Sequence, residues 1–283
     1  MPQRDRDLSK RRNSLNKKSL TTFVAVLIAG SFFSFFGQAS LAAGKTSIVV
    51  GADTTFPPFE TEKNGEVTGF DIDMIKAIAK AENLEIKLKT LPFNGIIPSL
   101  QAGSIDVAVA GITIKKSRMQ SVDFSNAYYK SGLSVLVKND SEIKSFADLK
   151  GRVVATKKAT SSVDYMKSHG IDSKYIKEFQ NIDVAYQALV TGGADAVVFD
   201  NPVNVDFMVQ NKNVKIVGDL LTGEYYGIAV TKKEPGLVDK INAGLEKIKK
   251  TGEYRQLFVK YFGGDTHGEV KGIEKPSDVA ITD

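Results

Sequence analysis

Between Ile105 and Ser125 the chain reads IDVAVAGITIKKSRMQSVDFS, an apolar run that stops at Gly111, with Thr113 next and Arg118 five residues on. A glycine at such a point lets the backbone approach another group closely. The Arg118 guanidinium is a planar fork that can hold a carboxylate through two parallel hydrogen bonds. A strand end offering backbone groups, a hydroxyl and an arginine suits a head group in which carboxylate and ammonium sit side by side, as in an amino acid. On these residues alone, Arg118 could equally be a surface helix charge and Thr113 a strand cap.

Such groups need a frame, and the surrounding pattern supplies one. Ile105 to Ala110 is β-branched and nearly uncharged, the mark of a buried strand. Ser47 to Gly51 and Ile86 to Leu88 read as further strands. Asp71 to Ala81 reads as a helix, with Asp71 as N-cap and an apolar stripe of Ile72, Ile75, Ile78 and Ala79. Gly95 to Ala102 is a second helix. Asp73, beside the cap, is a first-turn acid. Strands alternating with helices predict a parallel α/β sheet.

A repeat sharpens this. Leu100-x-x-Gly103-x-x-Asp106-x-x-Val109 recurs as Leu189-x-x-Gly192-x-x-Asp195-x-x-Val198, 89 residues later. Each copy reads as a helix end, a glycine C-cap and a buried strand. Two copies so far apart predict two similar lobes; a solenoid needs more. The chain is expected to cross between lobes near Tyr129 to Val137 and near Tyr226 to Val230. Helices are expected at Leu237 to Thr251 and Glu253 to Phe262. Beyond Gly263, little apolar pattern remains, so poor order is expected there.

The net charge of +5 over 283 residues sits in the first 42, which hold seven basic and two acidic residues; the rest balances at 31 of each. Nucleic-acid binding thereby loses its main support. Basic residues, an apolar stretch from Leu20 to Phe36 and Ser40-Leu41-Ala42 read as a signal peptide, with a retained anchor as the alternative. There is no cysteine, hence no disulfide, thiolate metal site or lipid-anchor cysteine. His169 and His267 carry no ligand motif, and no phosphate or dinucleotide loop is present. No metal or cofactor is expected.

From about Thr46 to Gly263 the chain resembles the polar amino-acid-binding proteins of bacterial ABC importers, the extracellular solute-binding family 3, and among them the periplasmic glutamine binders. The landmarks come in order: GADTTFPPFE, VTGFDIDM, FNGIIPSLQ, GIT…R, SVDY, NIDVAY, ADAVVFDNP and YYGIA. The resemblance implies a two-lobed, type II periplasmic binding protein fold, with two parallel-sheet α/β lobes joined by a two-strand hinge and closing on one amino acid. The division is then 1–42 signal peptide, 43–130 lobe 1, 131–225 lobe 2, 226–263 the return to lobe 1 and 264–283 tail. It also implies a periplasmic monomer that delivers L-glutamine to the membrane permease subunits of an importer.

The same resemblance places the head-group site on Gly111, Thr113, Arg118, Ser161 and Asp200. Arg118 would hold the α-carboxylate, helped by the Ser161 N–H at a helix start. The Gly111 carbonyl, Thr113 hydroxyl and Asp200 would receive the α-ammonium. Phe56 and Phe93 would sandwich the aliphatic part, whereas Phe59 reads as ordinary core. The side-chain end falls on Asp53 and Lys157. An amide NH₂ can donate to Asp53 and its carbonyl can accept from Lys157, whereas charged ligands would meet a like charge. The alternatives are a plain Asp53–Lys157 salt bridge, or Lys157 pointing to water. Two departures stand out: KKATSS replaces a glycine-containing KSGTGS turn, and Phe199 replaces a histidine.

Three functional classes compete. A binding receptor leads, with arginine, histidine or asparagine as alternative ligands. A dehydratase of the prephenate or arogenate type would need a general acid, for which Asp53 and Lys157 are the candidates. A sensor domain would have to signal through a separate partner.

Overall fold

The computed structural model describes residues 46–282. The expected signal peptide at 1–42 and its cleavage site lie outside the described residues. Two five-stranded sheets carry the architecture. The first runs Glu85–Thr90, Ser47–Ala52, Val107–Val109, Ala229–Val230, Asp123–Phe124. The second runs Ile176–Phe179, Val154–Lys157, Ala196–Asp200, Leu133–Lys138, Val214–Val217.

Each sheet has three parallel strands followed by two joined antiparallel. The expected parallel strands form the larger part of each sheet, and the antiparallel pair is an addition to them. The fourth strand of each sheet arrives from the hinge and enters in the opposite direction, so an antiparallel join follows from the crossing itself. Just before those strands, Tyr129–Ser131 and Glu224–Tyr226 pair antiparallel as a two-stranded hinge. There the Tyr129 and Tyr226 rings stack with centroids 5.6 Å apart.

Helix Phe70–Ala81 buries Ile72, Ile75, Ile78 and Ala79, as the spacing predicts, and packs against helices Leu237–Lys250 and Glu253–Phe262. Its N-cap is Gly69, so Asp71 is not the cap. Asp71 instead points inward and accepts the Gly111 N–H at 3.0 Å and the Tyr128 hydroxyl at 2.6 Å. Phe59 is fully buried among Phe70, Tyr129, Tyr226 and Phe262.

The stretch after Gly263 departs from the expected poor order. Its backbone bonds to the body at Lys130 N–H to Gly268 O, 2.9 Å, Ala127 N–H to Glu274 O, 2.8 Å, and Ile281 N–H to Ile114 O, 3.1 Å. Val270 is buried, and Val279 and Ala280 pack on the first lobe's core. Few apolar residues suffice because each finds a preformed surface and the backbone groups find sheet-like partners.

Candidate functional site

In open α/β sheets, binding residues gather beyond the carboxyl ends of the strands. Both lobes follow this rule and face each other. Asp53, Phe56, Phe93, Gly111, Thr113, Arg118, Lys157, Ser161 and Asp200 all line one cleft between the lobes, together with Ala110, Thr160 and Phe199.

Gly111 ends the strand Val107–Val109 with φ +51°, and a Cβ there would come within 2.1 Å of the Phe56 ring. Only glycine permits both the backbone turn and this approach. Asp71 holds its N–H. Burial raises the Asp71 carboxyl, while burial and the nearby Asp71 push the Glu60 carboxyl well up. Both shifts favour the uncharged form of the carboxyl in that corner.

Arg118 lies on the short helix Lys116–Ser121 of the first lobe. Its guanidinium donates to the Thr113 carbonyl at 2.9 Å and reaches across to the Ala159 carbonyl of the second lobe at 3.2 Å. It also lies over the Phe93 ring, 5.4 Å from the centroid. Phe56 meets Phe199 edge-on at 5.8 Å, so three phenyl rings line the cleft.

The turn that meets Arg118 is Lys157-Lys158-Ala159-Thr160, after which helix Ser161–Ser168 begins with Thr160 as N-cap. Ala159 has φ +64°, in the left-handed region where the glycine of the related turn is at ease. The Ser161 hydroxyl donates to Glu224 Oε2 at 2.9 Å.

Asp53 and Lys157 form a buried ion pair across the cleft, at 2.9 Å. Lys157 also donates to the Thr55 hydroxyl at 2.8 Å and the Thr55 carbonyl at 3.2 Å. Asp53 accepts from the Phe93 N–H, the Thr55 N–H and the Thr55 hydroxyl. Three ammonium protons and both carboxylate oxygens are therefore engaged with protein groups. The structure realises the salt-bridge reading of this pair, and an amide could join it only by displacing one of these partners.

Sequence reasoning missed Glu224. This fully buried carboxylate on the hinge accepts from Thr113 Oγ1 at 2.7 Å, Ser161 Oγ at 2.9 Å and Thr222 Oγ1 at 3.0 Å. Two residues on, the Tyr226 hydroxyl donates to Asp200 and accepts from the Ser131 hydroxyl at 2.8 Å. The period of two in a strand places Glu224 and Tyr226 on one face, which was the available signal. Asp200 is pushed up to about 7, chiefly by burial and then by Glu224, with Tyr226 and Arg118 opposing. Thr160, also unforeseen, lines the cleft and donates to the Lys157 carbonyl at 2.7 Å.

The arrangement offers a guanidinium, two buried carboxylates and hydroxyls at one end, a neutral ion pair at another, and aromatic walls between. Residues 48–264 match the bacterial extracellular solute-binding proteins, family 3. The chain is 38% identical to the ABC transporter glutamine-binding protein GlnH of Bacillus subtilis (strain 168), over 76% of this chain and 80% of that one. It is 36% identical to a probable histidine-binding protein of Neisseria gonorrhoeae, over 75% and 82%. Among solved structures, an ancestral arginine-binding protein bound to glutamine superposes with a TM-score of 0.72 at 43% identity, covering 77% of this chain and 99% of that one.

Proposed function

The chain belongs to the bacterial extracellular solute-binding proteins, family 3, and from that premise we propose that it is a periplasmic receptor for L-glutamine that hands its ligand to the permease of an ABC importer. The observation that carries this reading is the meeting, in one cleft, of Arg118 from one lobe with Asp200 and the Ser161 helix start from the other. A zwitterion between two lobes needs both its charges matched. Arg118 takes the α-carboxylate; Asp200, the Thr113 hydroxyl and the Gly111 carbonyl take the α-ammonium. Phe56 and Phe93 pack on the methylenes.

Glutamine ranks first because the far wall, Asp53 with Lys157, is neutral as a pair and carries both a donor and an acceptor. The ligand amide exchanges with the Thr55 hydroxyl, its NH₂ towards Asp53 and its carbonyl towards Lys157. A cationic amino acid is the second reading. Asp53, Asp200 and Glu224 are three buried carboxylates against the two cations Arg118 and Lys157. One further positive charge on the ligand side chain balances them when all three are ionised. Relatives are named for binding glutamine or histidine, not for catalysis, and no reaction is proposed for Asp53 or Lys157.

The test is calorimetric titration of the full chain, unfolded and refolded to strip carried-over ligand, against the twenty amino acids. Tight one-to-one binding of L-glutamine supports the first reading. Selective binding of arginine, lysine or histidine replaces it with the second. Binding of none removes the receptor assignment.

A further inference from the structure

Two hydroxyls in the cleft have their protons already committed. The Thr113 hydroxyl, from the first lobe, donates to Glu224 Oε2 at 2.7 Å. The Ser161 hydroxyl, from the second lobe, donates to the same oxygen at 2.9 Å. A hydroxyl carries one proton and two lone pairs. Once the proton is given to Glu224, each can present only lone pairs to anything else it meets. Both residues also line the cleft. The other Glu224 oxygen accepts from the Thr222 hydroxyl at 3.0 Å, so the carboxylate is oriented at both ends.

From this geometry we infer that Glu224 is a specificity-determining positioning residue: it locks the Thr113 and Ser161 hydroxyls as acceptors and so makes the cleft select an α-ammonium over a neutral or anionic group. The inference rests on the amino-acid-receptor reading above. An ammonium brings three N–H donors and no acceptor, which matches a ring of lone pairs. At the spot the two hydroxyl oxygens face, a carboxylate or carbonyl would bring lone pairs against lone pairs; the α-carboxylate is held instead by Arg118 and the Ser161 N–H. Glu224 also lies at the meeting of both lobes and the hinge, since it sits on Glu224–Tyr226 and holds one residue from each lobe. The selecting geometry is therefore complete only when the lobes meet.

Ser161 gives the arrangement its second arm. Glu224 takes its hydroxyl proton, so the oxygen faces the cleft with lone pairs only, while the backbone N–H at the helix start stays with the α-carboxylate.

The test compares each amino acid that binds the wild type with its desamino analogue: glutaramic acid for L-glutamine, 5-guanidinopentanoic acid for L-arginine. The readout is the ratio of the two dissociation constants, for the full-length wild type and for Glu224→Gln. The wild type is expected to favour the amino acid by roughly a hundredfold or more. Glu224→Gln is expected to reduce that ratio by roughly tenfold, because its amide can donate and frees the hydroxyl protons to face the ligand. A residue with a purely structural role weakens both ligands alike, so a ratio within about twofold of wild type overturns the inference while leaving the receptor reading intact. If the wild type binds no amino acid, the receptor reading and this inference fall together. Should Glu224→Gln not fold, Glu224→Asp, whose shorter side chain cannot hold both hydroxyls at 2.7 and 2.9 Å, carries the same expectation.

Discussion

The two lobes are built on one plan and finished differently. In the first, the Asp106 carboxylate accepts the Val49 N–H at 2.8 Å; in the second, Asp195 accepts the Val153 N–H at 2.7 Å. The repeated aspartate thus ties the third strand's entry to the first strand in both. Counting four residues on from Val49 and Val153 gives Asp53 and Lys157, the two members of the cross-cleft ion pair. Counting five on from Asp106 and Asp195 gives Gly111 and Asp200. Equivalent strand ends therefore hold unlike residues. The frame is duplicated, and the chemistry lies in what replaces what at the strand ends. The lobes differ again where Arg118 projects from the first and the helix starting at Ser161 projects from the second.

The comparison can be broken first at Arg118, which touches both lobes. Arg118→Ala is expected to weaken amino-acid binding by about 3 kcal/mol or more, roughly a hundredfold or more. Calorimetry showing affinity within tenfold of wild type would sink the head-group assignment. Next come the duplicated aspartates, which make the same bond in different surroundings: Asp106 is buried and Asp195 exposed. Asp106→Ala is expected to cost about 2 kcal/mol in urea unfolding and Asp195→Ala about 1 or less. Equal losses would mean that burial does not distinguish the two lobes here.

A third test concerns the pair Gly111 and Asp200, of which only the second titrates. Asp200 sits near 7 in the folded protein, facing Glu224, Tyr226 and Arg118. An α-ammonium favours its ionised form, so affinity is expected to rise roughly tenfold from pH 6 to pH 8, with proton release on binding. The sign for folding is opposite. A carboxyl raised above its unfolded value contributes stability below about pH 4 and loses it as pH rises through about 7. Calorimetry in buffers of different ionisation enthalpy measures the released proton; a flat affinity across this range contradicts the expectation.

The smallest effect is at Ala159. No residue from Asp53 to Phe56 has positive φ, whereas Ala159, in the matching turn of the second lobe, does. Ala159→Gly relieves about 1 kcal/mol of backbone cost and restores part of it as unfolded-chain entropy, for a net gain of about 0.5 kcal/mol in urea unfolding. A loss of stability would mean that the alanine methyl makes packing worth more than the strain.

Much of this was legible in the sequence because it is local or periodic. The alternation of strands and helices, the Leu-Gly-Asp-Val repeat and the stripe on Phe70–Ala81 depend on spacing alone. The nine residues that the resemblance aligned line one cleft, some at strand ends such as Asp53 and Lys157, others on helices, as Phe93, Arg118 and Ser161 are. What stayed hidden depends on partners far along the chain. Glu224 meets Thr113 and Ser161 across 111 and 63 positions. Asp71 has the residue type of a cap but lies in the first turn, where a partner forty residues away draws it inward. The types of Asp53 and Lys157 were readable, but their mutual satisfaction through Thr55 and Phe93 was not. The tail misled because isolated residues such as Val270 carry no period, while the surface that receives them is assembled elsewhere.

That tail brings a practical dividend. Ile281 bonds to Ile114 and Lys116, on either side of Lys115, whose ammonium meets Asp164 of the opposite lobe at 2.5 Å. Thr282 borders the hollow that holds Asp164 and Tyr165. The sequence contains no cysteine, so Thr282→Cys would carry a single fluorophore at the edge of that hollow, which Ser161 and Glu224 also line. Opening and closing would then be read as a change of colour or intensity, and ligands could be ranked optically, without isotopes.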